Sequence, residues 1–135
     1  DFRGVKRRME LVYHSTKKNF YLYDDYAHNP EKISSALSAL KKSFPKHRLE
    51  VVFQPHRYSR IKGLYQGFIQ AFKNANKVYL TPFHSAGEKP DNDLNLEKLS
   101  SAIASYSLVN TRVSTDFNNL CKYLSQQNLT KVAES

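Results

Sequence analysis

Two short segments of the sequence combine acidic, aromatic and basic side chains of the kind that bind small ligands. The first is DDYAHNP at Asp24–Pro30, and the second is HRYSR at His56–Arg60. Each follows a short apolar run closely, and open α/β sheets bind ligands at the carboxyl ends of their strands. The two segments therefore predict one ligand site, provided that the strands before them are neighbours in the sheet.

The second segment contains two arginines three residues apart, Arg57 and Arg60. At the start of a helix this spacing places both guanidinium groups on one face, where they could hold a carboxylate or a phosphate through paired hydrogen bonds. Asp25 beside such cations would stay ionised and could accept hydrogen bonds from ligand hydroxyls or an ammonium group. An equally simple interpretation is that Asp25, Arg57 and Arg60 form structural ion pairs that cap two helices.

The histidines do not have the spacing of a metal site. They show neither HxxxH nor HxH and fall on different predicted elements, so no metal site is predicted. Those that follow strands are interpreted as donors that orient a ligand, and those between elements as solvated loop residues. The first group contains His28 and His56, and the second contains His14 and His47.

Two other kinds of chemistry are disfavoured by missing motifs. His84, Ser85 and Glu88 lie close together, but no GxSxG elbow surrounds the serine, which argues against a hydrolase triad. The sequence also contains no GxxxxGK[ST], so the chain has no phosphate-binding loop of that type. The segment Ala86–Glu88 is predicted to be a turn, and its role stays open.

Apolar periodicity predicts the elements that must position these residues. Two runs rich in β-forming residues, Met9–Tyr13 and Phe20–Tyr23, predict an antiparallel hairpin. Asn29 is a good N-cap and Pro30 suits the first helical position, so a helix is predicted from there to Phe44.

Strands and helices then alternate along the chain. This alternation predicts an α/β fold of three layers, with a mostly parallel sheet, an initial antiparallel hairpin and helices on both faces. The tail Leu129–Ser135 is too short to assign. The predicted elements are, in order, the strand Leu49–Phe53, a helix with Ile61, Leu64, Phe68 and Phe72, the strand Val78–Leu80, a helix with Leu96, Leu99 and Ile103, the strand Leu108–Val113, and a helix capped by Thr115 with Phe117, Leu120, Cys121 and Leu124.

Length and composition indicate one basic domain of 135 residues without a predicted membrane span. The single cysteine, Cys121, excludes an internal disulfide and fits a reducing compartment. The net charge of +9 comes from scattered Lys and Arg, apart from Lys6–Arg8. A solvated surface with one local anion site is therefore favoured over nucleic-acid binding, whose affinity would fall steeply with salt.

Four ordered motifs resemble the C-terminal domain of the Mur ligases, the ATP-dependent amide-forming enzymes of peptidoglycan synthesis. They are GVKRRME at Gly4–Glu10, DDYAHNP at Asp24–Pro30, FQPHRYSR at Phe53–Arg60 and AGEKP at Ala86–Pro90. The last two are most similar to the branch that adds L-alanine to UDP-N-acetylmuramate. Asn29 departs from that branch, which usually has a second histidine there. A sister branch that recycles a tripeptide onto UDP-N-acetylmuramate remains an alternative.

The resemblance implies which residues would contact the ligands. Arg8 would reach the ribose or phosphates of ATP, and Asp25 would hold ribose hydroxyls. The other residues would surround the incoming amino acid, with the arginines on its carboxylate and the histidines, the candidate catalytic residues, positioning its amine. These residues are Tyr26, His28, His56, Arg57 and Arg60.

The resemblance also implies that residues 1–135 form one domain of a three-domain cytoplasmic bacterial enzyme. In this family the P-loop, the Mg²⁺ ligands and the UDP-sugar site belong to the two preceding domains. The C-terminal domain binds the amino acid and closes over ATP. Alone, it is expected to bind its ligands weakly and to turn over nothing. Neither a nucleic acid nor a membrane is expected as a partner.

Overall fold

A six-stranded sheet is the framework of the computed structural model, which describes residues 9–17, 19–115 and 130–134. The strand order is β1-β2-β6-β3-β4-β5. β1 is antiparallel to β2, and every other neighbouring pair is parallel. The predicted α/β fold with an initial hairpin is therefore confirmed. The strands are β1 (Glu10–Ser15), β2 (Phe20–Asp25), β3 (Leu49–Phe53), β4 (Lys77–Leu80), β5 (Asn110–Val113) and β6 (Thr130–Glu134).

Four helices are described, and the two longest begin at asparagine caps. The Oδ1 atom of Asn29 accepts a hydrogen bond from the backbone N–H of Lys32 at 2.9 Å. Asn95 caps the last described helix in the same way, through Lys98 at 3.1 Å. The prediction that Asn29 and Pro30 start a helix is confirmed. The helices are α1 (Pro30–Ser43), α2 (Tyr58–Gly63), α3 (Tyr65–Phe68) and α4 (Leu96–Ser107).

The main core lies between these helices and one face of the sheet. Because side chains alternate along a strand, Val51 and Phe53 face the helices, whereas Val52 packs with Phe20 and Tyr79 in a smaller second cluster. Each fully buried aliphatic or aromatic side chain contributes about 1.5–3 kcal/mol to folding. Such residues of the main core are Ile33 and Leu37 from α1, Ile61 from α2, Phe68 from α3, Leu80 from β4, and Leu99 and Ile103 from α4.

The position of β6 shows that β2 and β3 are not direct neighbours, which was the condition for one shared ligand site. β6 pairs in parallel with both of them and lies between them. The ends of β2 and β3 are therefore about 10 Å apart instead of about 5 Å. The sequence of the tail Leu129–Ser135 does not predict β6, because five residues are too few to show a clear periodicity. Parallel pairing with distant strands also leaves no local signal in the sequence. The helix predicted after Thr115 lies outside the described residues.

The helical pattern that includes Ile61 and Phe72 forms two short helices and turns, so the prediction of one continuous helix is wrong. α2 ends at Gly63 and α3 covers only Tyr65–Phe68. The helical geometry is interrupted at Leu64, which has φ of −118° and ψ of 26°. At Gly67 the backbone lies so close to α1 that an added Cβ would be 2.8 Å from Cγ of Pro30.

Two histidines expected to be solvated in loops instead belong to an aromatic cluster at the other end of the sheet. His14 lies in β1 and stacks on Tyr21, with ring centroids 4.2 Å apart. His47 lies in the turn before β3, packs against Tyr21 and Phe44, and has a buried Nε2. The loop prediction is wrong for His14, and the solvation prediction is wrong for His47.

Candidate functional site

The loop after β2, residues 26–29, begins at a buried carboxylate. Asp25 is 6% exposed and lines a cleft of about 910 Å³ together with Lys32, Ser34 and Ser35 of α1. This acid sits at the carboxyl end of a parallel strand, where the sequence predicted a ligand site. The cleft is large enough for a nucleoside, and a carboxylate on its wall is suited to accepting hydrogen bonds from ribose hydroxyls.

Tyr26 and His28 lie in the same loop, which we call the β2 loop. Tyr26 is 48% exposed, and its ring lies 6.0 Å from that of His28 in an edge-on arrangement. Nδ1 of His28 is 3.1 Å from the carbonyl oxygen of Tyr26, to which its N–H donates. In this tautomer Nε2 of His28 is left as a proton acceptor.

The loop after β3, residues 54–57, is joined to the loop after β4. We call these segments the β3 loop and the β4 loop, the latter comprising residues 81–95. His56 and His84 form an isolated parallel bridge. The N–H of Arg57 donates to the carbonyl of His84 at 2.8 Å, and the N–H of His84 donates to the carbonyl of Pro55 at 2.9 Å. The backbone next to the predicted site residues is therefore fixed from two sides.

The β2 and β3 loops converge even though β6 separates their strands. His28 and His56 border the same narrow crevice, together with Phe53 and Phe68. The ring of His84 is 4.9 Å from that of His56, which makes a third histidine at this end of the sheet. The convergence that the sequence predicted is thus present, but it arises through the loops and not through neighbouring strands.

His56 is held in its neutral form. Burial lowers the pKa of His56, and electrostatic interactions with His84, Arg60 and His28 lower it further. Its Nε2 atom is buried and has no hydrogen-bond partner in the described part of the chain. A neutral imidazole with an unused ring nitrogen can bind a polar hydrogen or take up a proton.

The two arginines lie at the start of α2. Arg57 is exposed and immediately precedes the helix, with φ of 59°, and Arg60 is half-buried in its first turn. Across residues 9–17, 19–115 and 130–134, no salt bridge joins either arginine to an acidic side chain. The ion pairs of the alternative interpretation are thus not formed among these residues, and both guanidinium groups can receive a ligand anion.

Glu88 is a residue of this site that the sequence did not identify. Its carboxylate accepts hydrogen bonds from the backbone N–H of Ser59, at 3.1 Å, and from the Ser59 hydroxyl. The signal was present in the AGEKP motif, but nothing local in that motif shows a contact with a residue 29 positions earlier. Arg8, the other predicted nucleotide contact, lies outside the described residues.

No group of three or more His, Cys, Asp or Glu side chains among the described residues is arranged to hold a metal ion. None of the helices described is long and apolar enough to cross a lipid bilayer.

The parallel sheet, its initial hairpin and the polar loops at its carboxyl edge define an α/β domain of the kind that binds ligands at the ends of its strands. The chain belongs to the Mur ligase C-terminal family, because the sequence model described as "Mur ligase, glutamate ligase domain" matches residues 7–131. The family resemblance of the four motifs is thereby confirmed.

Named relatives agree with this assignment. The chain is 37% identical over 123 residues to a UDP-N-acetylmuramate–L-alanine ligase of Geobacter sp. (strain M21), covering 91% of this chain and 26% of that protein. It is 36% identical over 125 residues to the bifunctional enzyme MurC/Ddl of Chlamydia trachomatis, covering 93% of this chain and 15% of that protein. Most of each relative's length therefore lies beyond the matched region.

A solved structure supports the same fold. The UDP-N-acetylmuramate-alanine ligase MurC from Thermotoga maritima superposes with a TM-score of 0.73 at 25% sequence identity. The match covers 96% of this chain and 26% of that one. The chain thus spans about a quarter of the length of this protein and of the Geobacter relative.

Proposed function

We propose that this chain is the C-terminal domain of an ATP-dependent ligase that joins L-alanine to the carboxylate of UDP-N-acetylmuramate in bacterial peptidoglycan synthesis. The observation that carries the proposal is the convergence of His28 and His56 on one narrow crevice, with Arg60 close enough to lower the pKa of His56 and Arg57 preceding the same helix. The printed names of the relatives supply the substrates.

We further propose that the P-loop, the Mg²⁺ ligands and the UDP-sugar site lie in two other domains of a longer cytoplasmic protein. The chain has no P-loop motif of its own and spans 26% of the Geobacter relative. Because the groups that bind the substrates would then lie on different domains, closure of this domain over ATP would be a required step.

The amino acid would bind between the β2 and β3 loops. A carboxylate carries one negative charge on two coplanar oxygens, which match the paired donors of a guanidinium group. Neither Arg57 nor Arg60 forms a salt bridge with an acidic side chain among the described residues, and Glu88 interacts with Arg57 only at longer range. Tyr26 would form one wall. His28 and His56 would face the amine, where a neutral ring nitrogen could accept its proton.

The nucleotide would bind in the cleft beside Asp25. The buried carboxylate would accept hydrogen bonds from the ribose hydroxyls, and Arg8 would contact the ribose or phosphates. Lys32, Ser34 and Ser35 on the same cleft wall are polar and fit a hydrated ligand. When bound, ATP supplies the phosphoryl group that activates the muramoyl carboxylate as an acyl phosphate.

The amide then forms by attack of the amino nitrogen on the activated carbonyl carbon. The carbon–oxygen bond to phosphate breaks, and the nitrogen loses a proton. His28 and His56 lie where they could hold that proton, while Arg57 and Arg60 keep the amine within attacking distance. Fixed cationic donors also stabilise the negative charge that develops on the tetrahedral intermediate.

Substitution of the arginines in the full-length enzyme tests the proposal. Arg57→Ala or Arg60→Ala should raise the KM for L-alanine by about tenfold to a hundredfold, since each removes a charge-assisted contact of about 1.5–3 kcal/mol. The KM for ATP should change little. The measurement is release of ADP that depends on both UDP-N-acetylmuramate and L-alanine.

Arg112→Ala is the matched control, because Arg112 is an exposed arginine on β5 at the far edge of the sheet. It should leave all three KM values within about twofold of the wild type. The proposal fails if L-alanine supports no turnover, or if the variants of Arg57 and Arg60 behave like the control. Turnover with a tripeptide instead of L-alanine would favour the recycling branch.

A further inference from the structure

The carboxylate of Glu88 connects the β4 loop to the first turn of α2. Oε1 accepts a hydrogen bond from the backbone N–H of Ser59 at 3.1 Å, and Oε2 accepts one from the hydroxyl of the same residue. These two bonds lower the pKa of Glu88, so the group is ionised at neutral pH. Hydrogen bonds to an ionised acceptor are about twice as strong as neutral ones.

The turn that presents Glu88 has a costly backbone conformation. Ala86 has φ of 53° and Gly87 has φ of 88°, while the N–H of Glu88 donates to the carbonyl of Ser85 at 3.0 Å. Two central residues with positive φ are typical of a type I′ turn, which alanine rarely adopts. Strained residues persist where surrounding contacts hold them, and they are frequent at functional sites.

The β4 loop also fixes the backbone on both sides of Arg57. The N–H of Arg57 itself donates to the carbonyl of His84, and two residues later Ser59 is bound by Glu88. Between these two contacts Arg57 has φ of 59° and ψ of 122°, a conformation that a side-chain-bearing residue rarely adopts. Without the hydrogen bonds between Ser59 and Glu88, the backbone around Arg57 would be freer to change to a more common conformation.

We propose that Glu88 is a positioning residue for the amino-acid carboxylate, acting through Ser59 to hold Arg57 and Arg60 in the orientation that receives it. This inference rests on the proposed function. A carboxylate aimed at the substrate would repel it, but both oxygens of Glu88 are engaged by Ser59. Glu88 also interacts electrostatically with Arg57, so its effect on the ligand passes through the arginines.

The test is substitution of both partners in the full-length enzyme, with KM measured separately for each substrate. Glu88→Gln should raise the KM for L-alanine about tenfold and Ser59→Ala about threefold, because a misplaced contact weakens binding without being lost. Ser59→Thr keeps the hydroxyl and should restore a KM near the wild-type value. In the double variant, Ser59→Ala should add little to the effect of Glu88→Gln, because both remove the same contact.

Glu97→Gln is the matched control, because Glu97 is an exposed acid in the first turn of α4. It should not change the KM for L-alanine. If Glu88 only stabilises the fold, Glu88→Gln would reduce the fraction of active enzyme. The apparent kcat would then fall while all three KM values stay constant. That pattern, or a Glu88→Gln variant that matches the control, would overturn the inference.

A second measurement does not depend on turnover. Trypsin should cleave after Arg57 and Arg60 faster in the full-length Glu88→Gln variant than in the wild type, with no change after Lys98. Equal cleavage rates in the variant and the wild type would show that Glu88 does not restrain this segment. Absence of L-alanine-dependent turnover in the wild-type enzyme, by contrast, overturns the proposed function and with it the role assigned to the restrained arginines.

Discussion

The imidazole of His56 is half-buried at the carboxyl edge of the sheet, and its pKa is lowered by burial, by His84 and then by Arg60 and His28. Below the ordinary histidine pKa of about 6.5, the unfolded chain takes up a proton that the folded chain does not. The free energy of unfolding should therefore fall as the pH drops below that value, and this contribution should be constant above it.

Denaturant unfolding of the wild type and of His56→Gln at about pH 7.5 and pH 5.5 measures this effect. The variant should lose less stability on acidification than the wild type. His84→Gln should lose an intermediate amount of stability on acidification. This variant removes the effect of His84 on the pKa of His56 but leaves the effect of burial. An identical loss in the wild type and in His56→Gln would contradict the explanation.

At the scale of elements, the contact between α3 and the start of α1 holds the β2 loop in place. A Cβ added at Gly67 would lie 2.8 Å from Cγ of Pro30, whose rigid ring directly follows the cap residue Asn29. Gly67→Ala should therefore lower the free energy of unfolding by about 1–3 kcal/mol. It should also weaken L-alanine binding, because the displaced helix start carries His28 with it.

Gly63 provides the comparison, since a Cβ there meets no atom of the described residues within 4 Å. Gly63→Ala should be neutral or should stabilise the domain by up to about 1 kcal/mol, because alanine is the better helix former. Denaturant unfolding of both variants gives the two values. A Gly67→Ala variant as stable as Gly63→Ala would show that the two helices can separate at little cost.

The features that the sequence predicted correctly are those that depend on residues close together in the chain. The cap Asn29 and the alternation of strands with helices depend on residues a few positions apart, so they were predicted correctly. The bond between Glu88 and Ser59 and the pairing of β6 depend on residues far apart in the chain, and neither leaves a periodic signal. The polar clusters after two apolar runs are local too, which is why the sequence could suggest site residues there, and their role stays a prediction.

At the scale of the whole molecule, β6 joins two parts of the sheet, β1-β2 and β3-β4-β5, that are not otherwise paired with each other among the described residues. It has five register pairs with β2 and four with β3. Each backbone hydrogen bond contributes about 0.5–1.5 kcal/mol, which together is comparable to the total stability of about 5–15 kcal/mol of a typical domain. A chain that lacks residues 130–135 should therefore not fold cooperatively.

Circular dichroism with thermal unfolding of the truncated chain checks this expectation. The full chain should show one cooperative transition, and removal of Ser135 alone should preserve it. The truncated chain should show a broad, weak transition or none. A sharp transition in the truncated chain would mean that β2 and β3 can pair directly.

The place of β6 also sets the order of events when the protein is made on the ribosome. The strands on both sides of the central position are synthesised first, and the strand that fills it emerges last. Until then, the nascent chain exposes two unpaired strand edges at once, a state in which pairing with other chains competes with correct folding. Expression yield should therefore depend on how quickly residues 130–134 follow the earlier strands, and on chaperones that cover those edges in the meantime.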